Sequence, residues 1–437
     1  MKQGWEIKKL GEVCKLLTRG ISPKYIEKNG ICVLNQKCIR DHQVSLIPSR
    51  RHNSTAKLVN PDRYIQIGDI LINSTGTGTL GRIAQVRQNP QEPTTVDSHV
   101  TIVRPQEGLF YLNFFGYMLM LIEEELKSSG EGCGGQTELS RSALAEKFIV
   151  KFPKSLSEQQ HIVSILDKAF AAIDKAKANA EQNLKNAKEL FESYLQGVFE
   201  KKGDGWEEKT LQEVCAKITD GTHQTPKYFD KGVIFLSSKN VTSGKIDWEN
   251  IKFIDKKQHL EMHKRVAPQV GDILLAKNGT TGVAAIVDRE VIFDIYVRLA
   301  HIRVLNEVTP EFMLYFINSP VAKKQFNKRL KGSGVPNLHL EEIRQVVISF
   351  PKSKKEQQTI VRQLDVLRAE TQRLEVIYQK KLNDLEELKK SILQKAFSGE
   401  LTKDFHAGII AVKDLCLEGK VMKAEEKLLK SKSKAMA

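Results

Sequence analysis

The sequence predicts an α+β protein in which one mixed module occurs twice, each copy followed by a long helix. Three observations carry this: a self-match at a nearly constant offset, the same change of texture inside both copies, and a heptad seam in the helical stretches.

The self-match has four parts in the same order. Trp5-Glu6-Ile7-Lys8-Lys9-Leu10-Gly11-Glu12-Val13-Cys14 returns as Trp206-Glu207-Glu208-Lys209-Thr210-Leu211-Gln212-Glu213-Val214-Cys215. Gly68-Asp69-Ile70-Leu71 returns as Gly271-Asp272-Ile273-Leu274. Phe152-Pro153-Lys154-Ser155 with Glu158-Gln159-Gln160 returns as Phe350-Pro351-Lys352-Ser353 with Glu356-Gln357-Gln358, and Leu195-Gln196 with Phe199 returns as Leu393-Gln394 with Phe397. A period near 200 residues is a duplicated domain, because solenoid repeats run to only about 20–50. The division expected is 1–155 for the first globular part, 156–200 for its helix, 201–353 and 354–398 for the second pair, and 399–437 for a basic tail.

Within each globular part, short β-rich runs such as Tyr64–Ile72, Arg82–Val86 and Val283–Val287 are separated by Gly, Asn, Asp, Ser and Thr clusters, the texture of strands joined by turns. One helical stretch interrupts each part, around Tyr111–Lys127 and Pro310–Leu330. The apolar run Leu109–Ile122 reads as a core helix, with a partner-facing surface as the alternative.

The two terminal stretches are nearly free of Gly and Pro. In the second, Ile360, Leu367, Leu374, Lys381 and Leu388 fall every seven residues beside a companion row of Leu364, Thr371, Tyr378, Leu385 and Ile392. The first offers Ile162, Ala169, Ala176, Asn183 and Leu190 beside Leu166, Ile173, Ala180, Ala187 and Tyr194. A small-residue seam and a larger one suit each other, so a mutual coiled coil is expected over packing of each helix on its own domain alone. Each helix should run roughly 60 Å at 1.5 Å per residue.

Composition narrows the function. The 437 residues carry 68 Lys and Arg against 53 Asp and Glu, a net +15 that suits a polyanionic partner, or serves only solubility. Six scattered cysteines without a C-x-x-C pair read as reduced thiols, neither disulfides nor zinc ligands. The opening residues lack an apolar signal core, and the longest apolar stretch falls short of the about 20 residues a bilayer span needs, so a cytoplasmic protein with no membrane partner is expected.

Taken together, W-x-x-x-x-L-x-E-V, Gly-Asp-Ile-Leu, the Phe-Pro…Glu-Gln-Gln entry into a helix, and a second pass ending Ser391-Ile392-Leu393-Gln394-Lys395-Ala396-Phe397-Ser398-Gly399-Glu400-Leu401 resemble the specificity subunit of Type I restriction-modification systems. The resemblance covers residues 1 to about 403. It implies two tandem target recognition domains, each reading one half of an asymmetric, bipartite duplex DNA site. It also implies an antiparallel coiled coil with pseudo-twofold symmetry that spaces the half-sites and docks two methyltransferase subunits, with restriction (translocase) subunits joining through them. The chain itself would be non-catalytic and hold no cofactor; S-adenosylmethionine, ATP and Mg²⁺ would sit on the partners. Half-sites about one helical turn apart, roughly 34–36 Å, are expected.

The residues agree with a non-enzyme. No two of the 13 prolines are adjacent, so the Asn/Asp-Pro-Pro-aromatic motif of an adenine methyltransferase has no counterpart. The two Gly-Lys dipeptides, Gly244-Lys245 and Gly419-Lys420, lack the rest of a phosphate-binding loop, and no H-E-x-x-H occurs. Gly76-Thr77-Gly78-Thr79-Leu80-Gly81 fits G-x-G-x-x-G, but the next residues alternate like a strand, where a nucleotide site needs a helix. The alternative is a catalytic methyltransferase or nuclease with an active site of unfamiliar form.

Base edges and phosphates are read by Arg, Lys, Asn, Gln, Ser and Thr. Three loops per copy are rich in them, each readable as a DNA contact or as an ordinary solvated turn. The first holds Thr18 and Arg19, matched by Thr219, Asp220, Thr222 and His223. The second holds Asn73, Ser74, Thr75 and Thr77, matched by Lys277, Asn278 and Thr280; the third holds Gln136, Thr137 and Arg141, matched by Lys331, Ser333 and Asn337. Lys37, Lys239 and Asn240 follow apolar runs and join the candidates. No catalytic or metal-binding residue is expected; His223 is read as structural, with no acidic or cysteine partner nearby. The tail reads as a frayed end or a short amphipathic contact.

Overall fold

The computed structural model describes residues 4–130, 137–201, 203–241, 244–279, 281–330, 336–398 and 400. The chain forms two compact units. The first holds residues 4–179 with 381–398, and the second holds 180–380. Each therefore combines a globular part with one stretch of both long helices, Leu156–Glu200 and Lys354–Ser398. The first long helix passes from one unit to the other after Asn179, and the second after Lys380.

In the first unit a four-stranded antiparallel sheet runs in the order Cys14–Arg19, Val100–Pro105, Ile70–Asn73, Ile83–Gln85. A second sheet pairs Thr94–Val96 parallel to Ile31–Leu34, then Arg50–His52 and Tyr25–Ile26. Trp5–Lys9 pairs antiparallel with Ile149–Pro153 and closes the part where the long helix begins. Ile70–Asn73 is apolar without alternation because both of its faces are covered. Successive side chains point to opposite faces, so Ile70 and Ile72 enter the cluster around Phe114 and Phe115, while Leu71 enters the one around Val96 and Ile102.

The second unit repeats this plan. Its main sheet runs Cys215–Asp220, Leu299–Val304, Ile273–Ala276, Val283–Ile286, beside a three-stranded sheet in which Phe293–Ile295 is parallel to Val233–Leu236. Trp206–Thr210 pairs with Val347–Pro351. Ile273 and Leu275 again face one core, Leu274 and Ala276 the other. The helical stretch expected around 310–330 is two helices, Pro310–Asn318 and Pro320–Arg329, each opened by a proline at its first turn and a Thr309 or Ser319 cap. In the first unit the corresponding helix Leu112–Leu121 is buried along most of its length, as a core helix should be.

The repeated motifs are structural joints. The Trp5 indole donates to Glu158 at 3.2 Å, and Trp206 donates to Glu356 at the same distance. Gln159 is fully buried; its amide donates to the Pro153 and Leu109 carbonyls and accepts from the Tyr111 N–H. Gln357 repeats this with Pro351, Glu307 and Thr309. Gly68 and Gly271 have φ of +93° and +90°, where a side chain is strained. The aspartate after each is buried and accepts two charge-assisted bonds from an arginine, Arg104 on Asp69 and Arg303 on Asp272, at 2.7–2.8 Å.

The long helices pair within each unit, antiparallel. In the first, Lys177 bonds Glu386 at 2.6 Å and Asp174 faces Lys389 at 3.6 Å, so one number rises as the other falls. Ile162, Leu166, Ala169, Ile173 and Ala176 share a core with Leu385 and Ile392. In the second, Ala187 and Leu184 pack with Leu374 and Tyr378, and the Arg368 guanidinium lies 5.9 Å from the Phe191 ring centre. Of these packed residues, all but Leu184, Phe191 and Arg368 are seam residues read from the heptads; Lys381, the charged lapse, is half-buried. Among the described residues no helix is long and apolar enough to cross a membrane.

Candidate nucleic-acid interface

In the first unit the three candidate loops meet at one end of the main sheet. The strand Cys14–Arg19 ends at Gly20, where a Cβ would overlap the Val96 carbonyl, so only glycine lets the backbones approach. Arg19 then reaches the third loop, donating to the Leu139 carbonyl at 3.0 Å and pairing with Glu138 at 2.8 Å. Thr75 bridges Glu138, and Leu139 N–H donates to the Ser74 carbonyl at 2.8 Å, which zips the second loop to the third. Gln36 donates to the carbonyl and hydroxyl of Thr75, while the Thr75 hydroxyl also meets His99 Nδ1 at 2.7 Å.

Asn73 and Ser74 are fully buried: Asn73 donates to the Gln36 carbonyl and Ser74 bonds Thr101, so these two side chains hold the loop from beneath. Thr77, Arg141 and Lys37 are exposed; Thr18, Thr75 and Thr137 are half-buried. The G-x-G-x-x-G stretch is a tight turn with Gly76, Gly78 and Gly81 at positive φ, and the strand Ile83–Gln85 follows it where a nucleotide site would have a helix.

The second unit builds the same corner from other side chains. Gly221 again abuts a carbonyl, that of Ile295. By strand register Asp220 stands where Arg19 stands, and Lys277 and Asn278 where Ser74 and Thr75 stand. Asp220 is buried and receives Arg265 at 2.6 Å, Lys277 at 3.2 Å and His223 at 3.2 Å. Burial opposes its ionisation, but bonds from Arg265 and Lys277 outweigh that and hold its carboxyl below the usual aspartate range. His223 therefore does have an acidic partner, Asp220, three residues before it in the same loop, contrary to the expectation of none nearby.

Asn278 bridges Asn337, and Leu338 N–H donates to the Lys277 carbonyl at 2.8 Å. Thr219 and Thr222 are half-buried; Thr222 bridges Tyr296. Lys239 is exposed on a short turn, at the register of Lys37, whereas Asn240 is buried and bonds Ser237, Asp247 and Asn250 as an internal brace. Gln136, Thr280, Lys331 and Ser333 lie outside the described residues, as do Cys133, Cys416 and the tail.

Several residues at these corners escaped sequence reading. His99 and Arg298 precede the central strand at equivalent positions, Gln36 adjoins Lys37, and Arg265 follows a helix with no counterpart in the repeat. The match of Lys37 with Lys239 was the available signal for Gln36. Each corner offers hydroxyl, amide, imidazole and cationic groups on a rigid frame, the chemistry that contacts base edges and phosphates.

The Escherichia coli K12 protein named Type I restriction enzyme EcoKI specificity subunit is 24% identical over 434 residues, covering 93% of this chain and 91% of the relative. The Methanocaldococcus jannaschii protein named Type I restriction enzyme MjaVIII specificity subunit is 22% identical, covering 91% and 93%. In fold, the chain is similar to one from a structure titled as the basis of complex assembly and conformational transition of the type I R-M system, with TM-score 0.74, 18% identity and coverage of 91% and 98%. It is also similar to the HsdS subunit from Thermoanaerobacter tengcongensis, with TM-score 0.55, 18% identity and coverage of 92% and 98%. The family described as Type I restriction modification DNA specificity domain matches residues 2–185 and again 203–387, so the chain belongs to that family, with the domain present twice.

Proposed function

We propose that this chain reads a bipartite, asymmetric duplex DNA site as the non-catalytic specificity subunit of a Type I restriction-modification complex. Each unit reads one half-site with its three-loop corner. The paired helices dock two methyltransferase subunits, which methylate adenine, and through them the restriction subunits; S-adenosylmethionine, ATP and Mg²⁺ belong to those partners. The complex works in the cytoplasm.

One observation carries this reading. The two corners share their frame, down to the glycine that abuts a strand carbonyl and the backbone bonds between loops, yet differ at Arg19 and Asp220, Thr75 and Asn278, His99 and Arg298. A common frame with unlike side chains is what two different half-sites require. Exchanging residues 206–351 for the same region of another specificity subunit tests it: one half of the recognised sequence should change while the other half persists. Incubating the chain alone with DNA, Mg²⁺ and S-adenosylmethionine tests the rival reading of an enzyme; no methylation or cleavage is expected.

A further inference from the structure

In the second unit the helix Lys256–Met262 begins at the Asp255 cap and its last turn runs on through His263, whose N–H donates to the His259 carbonyl at 2.8 Å. His259 and His263 are therefore one turn apart on one face. Both imidazoles reach over to Asp294, in the middle of the strand Phe293–Ile295. His259 Nδ1 lies 2.7 Å from Asp294 Oδ2 and His263 Nδ1 lies 3.0 Å from Oδ1, with the ring centres 4.7 Å apart. Asp294 is 1% exposed and, among the described residues, pairs with no lysine or arginine.

We propose that His259, His263 and Asp294 bind a divalent transition-metal ion of the zinc class. The carboxylate is buried and, among the described residues, has no lysine or arginine beside it, and a divalent cation satisfies it directly. The three ligand atoms lie within 4.8 Å of one another, and two nitrogens with one oxygen suit zinc, cobalt or nickel better than calcium or magnesium. Bonds of about 2.0–2.1 Å in tetrahedral geometry set ligand spacings near 3.3 Å, so the imidazoles draw back by a few tenths of an ångström. Each ligating Nδ1 hands its hydrogen to Nε2 of the same ring, which leaves the proton count unchanged. The half-exposed side of His263 leaves a fourth position for water.

The ion ties this helix to the strand beneath it, and the tie reaches the candidate interface. Gln258 bonds both the N–H and the carbonyl of Lys227, and Arg265, two residues past His263, donates to the Asp220 carbonyl and carboxylate. Among the described residues the first unit has no such centre: the register equivalent of Asp294 is Thr95, whose hydroxyl donates to the Arg63 carbonyl at 2.7 Å.

The test uses the full chain, stripped with a chelator and titrated with Co²⁺. The expected result is saturable uptake of about one equivalent, with visible d–d absorption and no thiolate charge-transfer band. Zn²⁺ should displace the cobalt and raise Tm by several degrees. The His259→Gln/His263→Gln double variant and Asp294→Asn should lose both effects, while His161→Gln, on an exposed position of the first long helix, keeps them. Should Asp294→Asn not fold, His263→Gln remains decisive, with binding on the order of tenfold or more weaker. Uptake well below one equivalent in the wild type, or undiminished uptake in the double variant, overturns the proposal. Neither readout involves DNA, so this inference stands or falls apart from the DNA-reading role.

Discussion

Trp5 donates its indole N–H to the Glu158 carboxylate across 153 residues, fastening the first strand of the module to the first turn of its long helix. The contact recurs as Trp206 on Glu356. Glu158→Ala keeps the indole and deletes its acceptor, so it should cost about 1 kcal/mol, read as a lower urea midpoint at unchanged m. An unchanged midpoint would mean the tryptophan is kept for packing alone.

Asp69→Asn should be far more damaging. It removes the charge from a buried pair while Arg104 stays in place, and breaking such a pair from one side costs roughly 3–5 kcal/mol. Calorimetry should show one transition, that of the first unit, moving down by many degrees while the other holds.

Acid should attack the second unit through its aspartates. Burial opposes ionisation of Asp272, yet bonds from Arg303 and His301 prevail and hold its carboxyl well below the usual range. Asp220 is lowered likewise. A depressed carboxylate adds stability that is complete above its unfolded value, near 4, and lost as pH falls through the folded one. Tm should therefore fall below about pH 4, and Asp272→Asn should start lower and show a flatter acid limb. A Tm independent of pH down to 2 would contradict this.

Burial pushes the Cys14 and Cys215 thiols up to about 12, and that of Cys38 to about 11. The thiolate is the reactive form, so these three should resist Ellman's reagent at pH 8 in the folded chain and react promptly in denaturant.

Lys37 and Lys239 stand exposed at one register of the two units. Each changed to Ala should weaken DNA binding evenly across sequences and reduce the salt slope by about 1, as a lost phosphate contact does. Asn278→Ala should instead relax the choice of base at one position.

The frame was legible because its joints are side chains of fixed type. A tryptophan needs its acceptor, a buried glutamine closes a turn, and a Gly-Asp pair needs its positive φ and its arginine, so these letters recur and betray the duplication. The heptad rows were legible for the same reason. The corners were not. Arg19 meets Glu138, Thr75 meets Gln36 and His99, and Asp220 meets Arg265 across tens of residues, with no period linking them. Asn73, Ser74 and Asn240 have the composition of contact residues but are spent on internal bonds. The imidazole pair on Asp294 was hidden because its helix has no counterpart in the repeat.

The central claim is that the two corners read two different pieces of DNA. The direct measurement is the methylation pattern of a genome in cells carrying this chain with its methyltransferase, against cells lacking the chain. The account predicts one asymmetric motif, two short specified parts around an unspecified gap, methylated on adenine and lost with the chain. A continuous or palindromic motif, or one that persists without the chain, would contradict it.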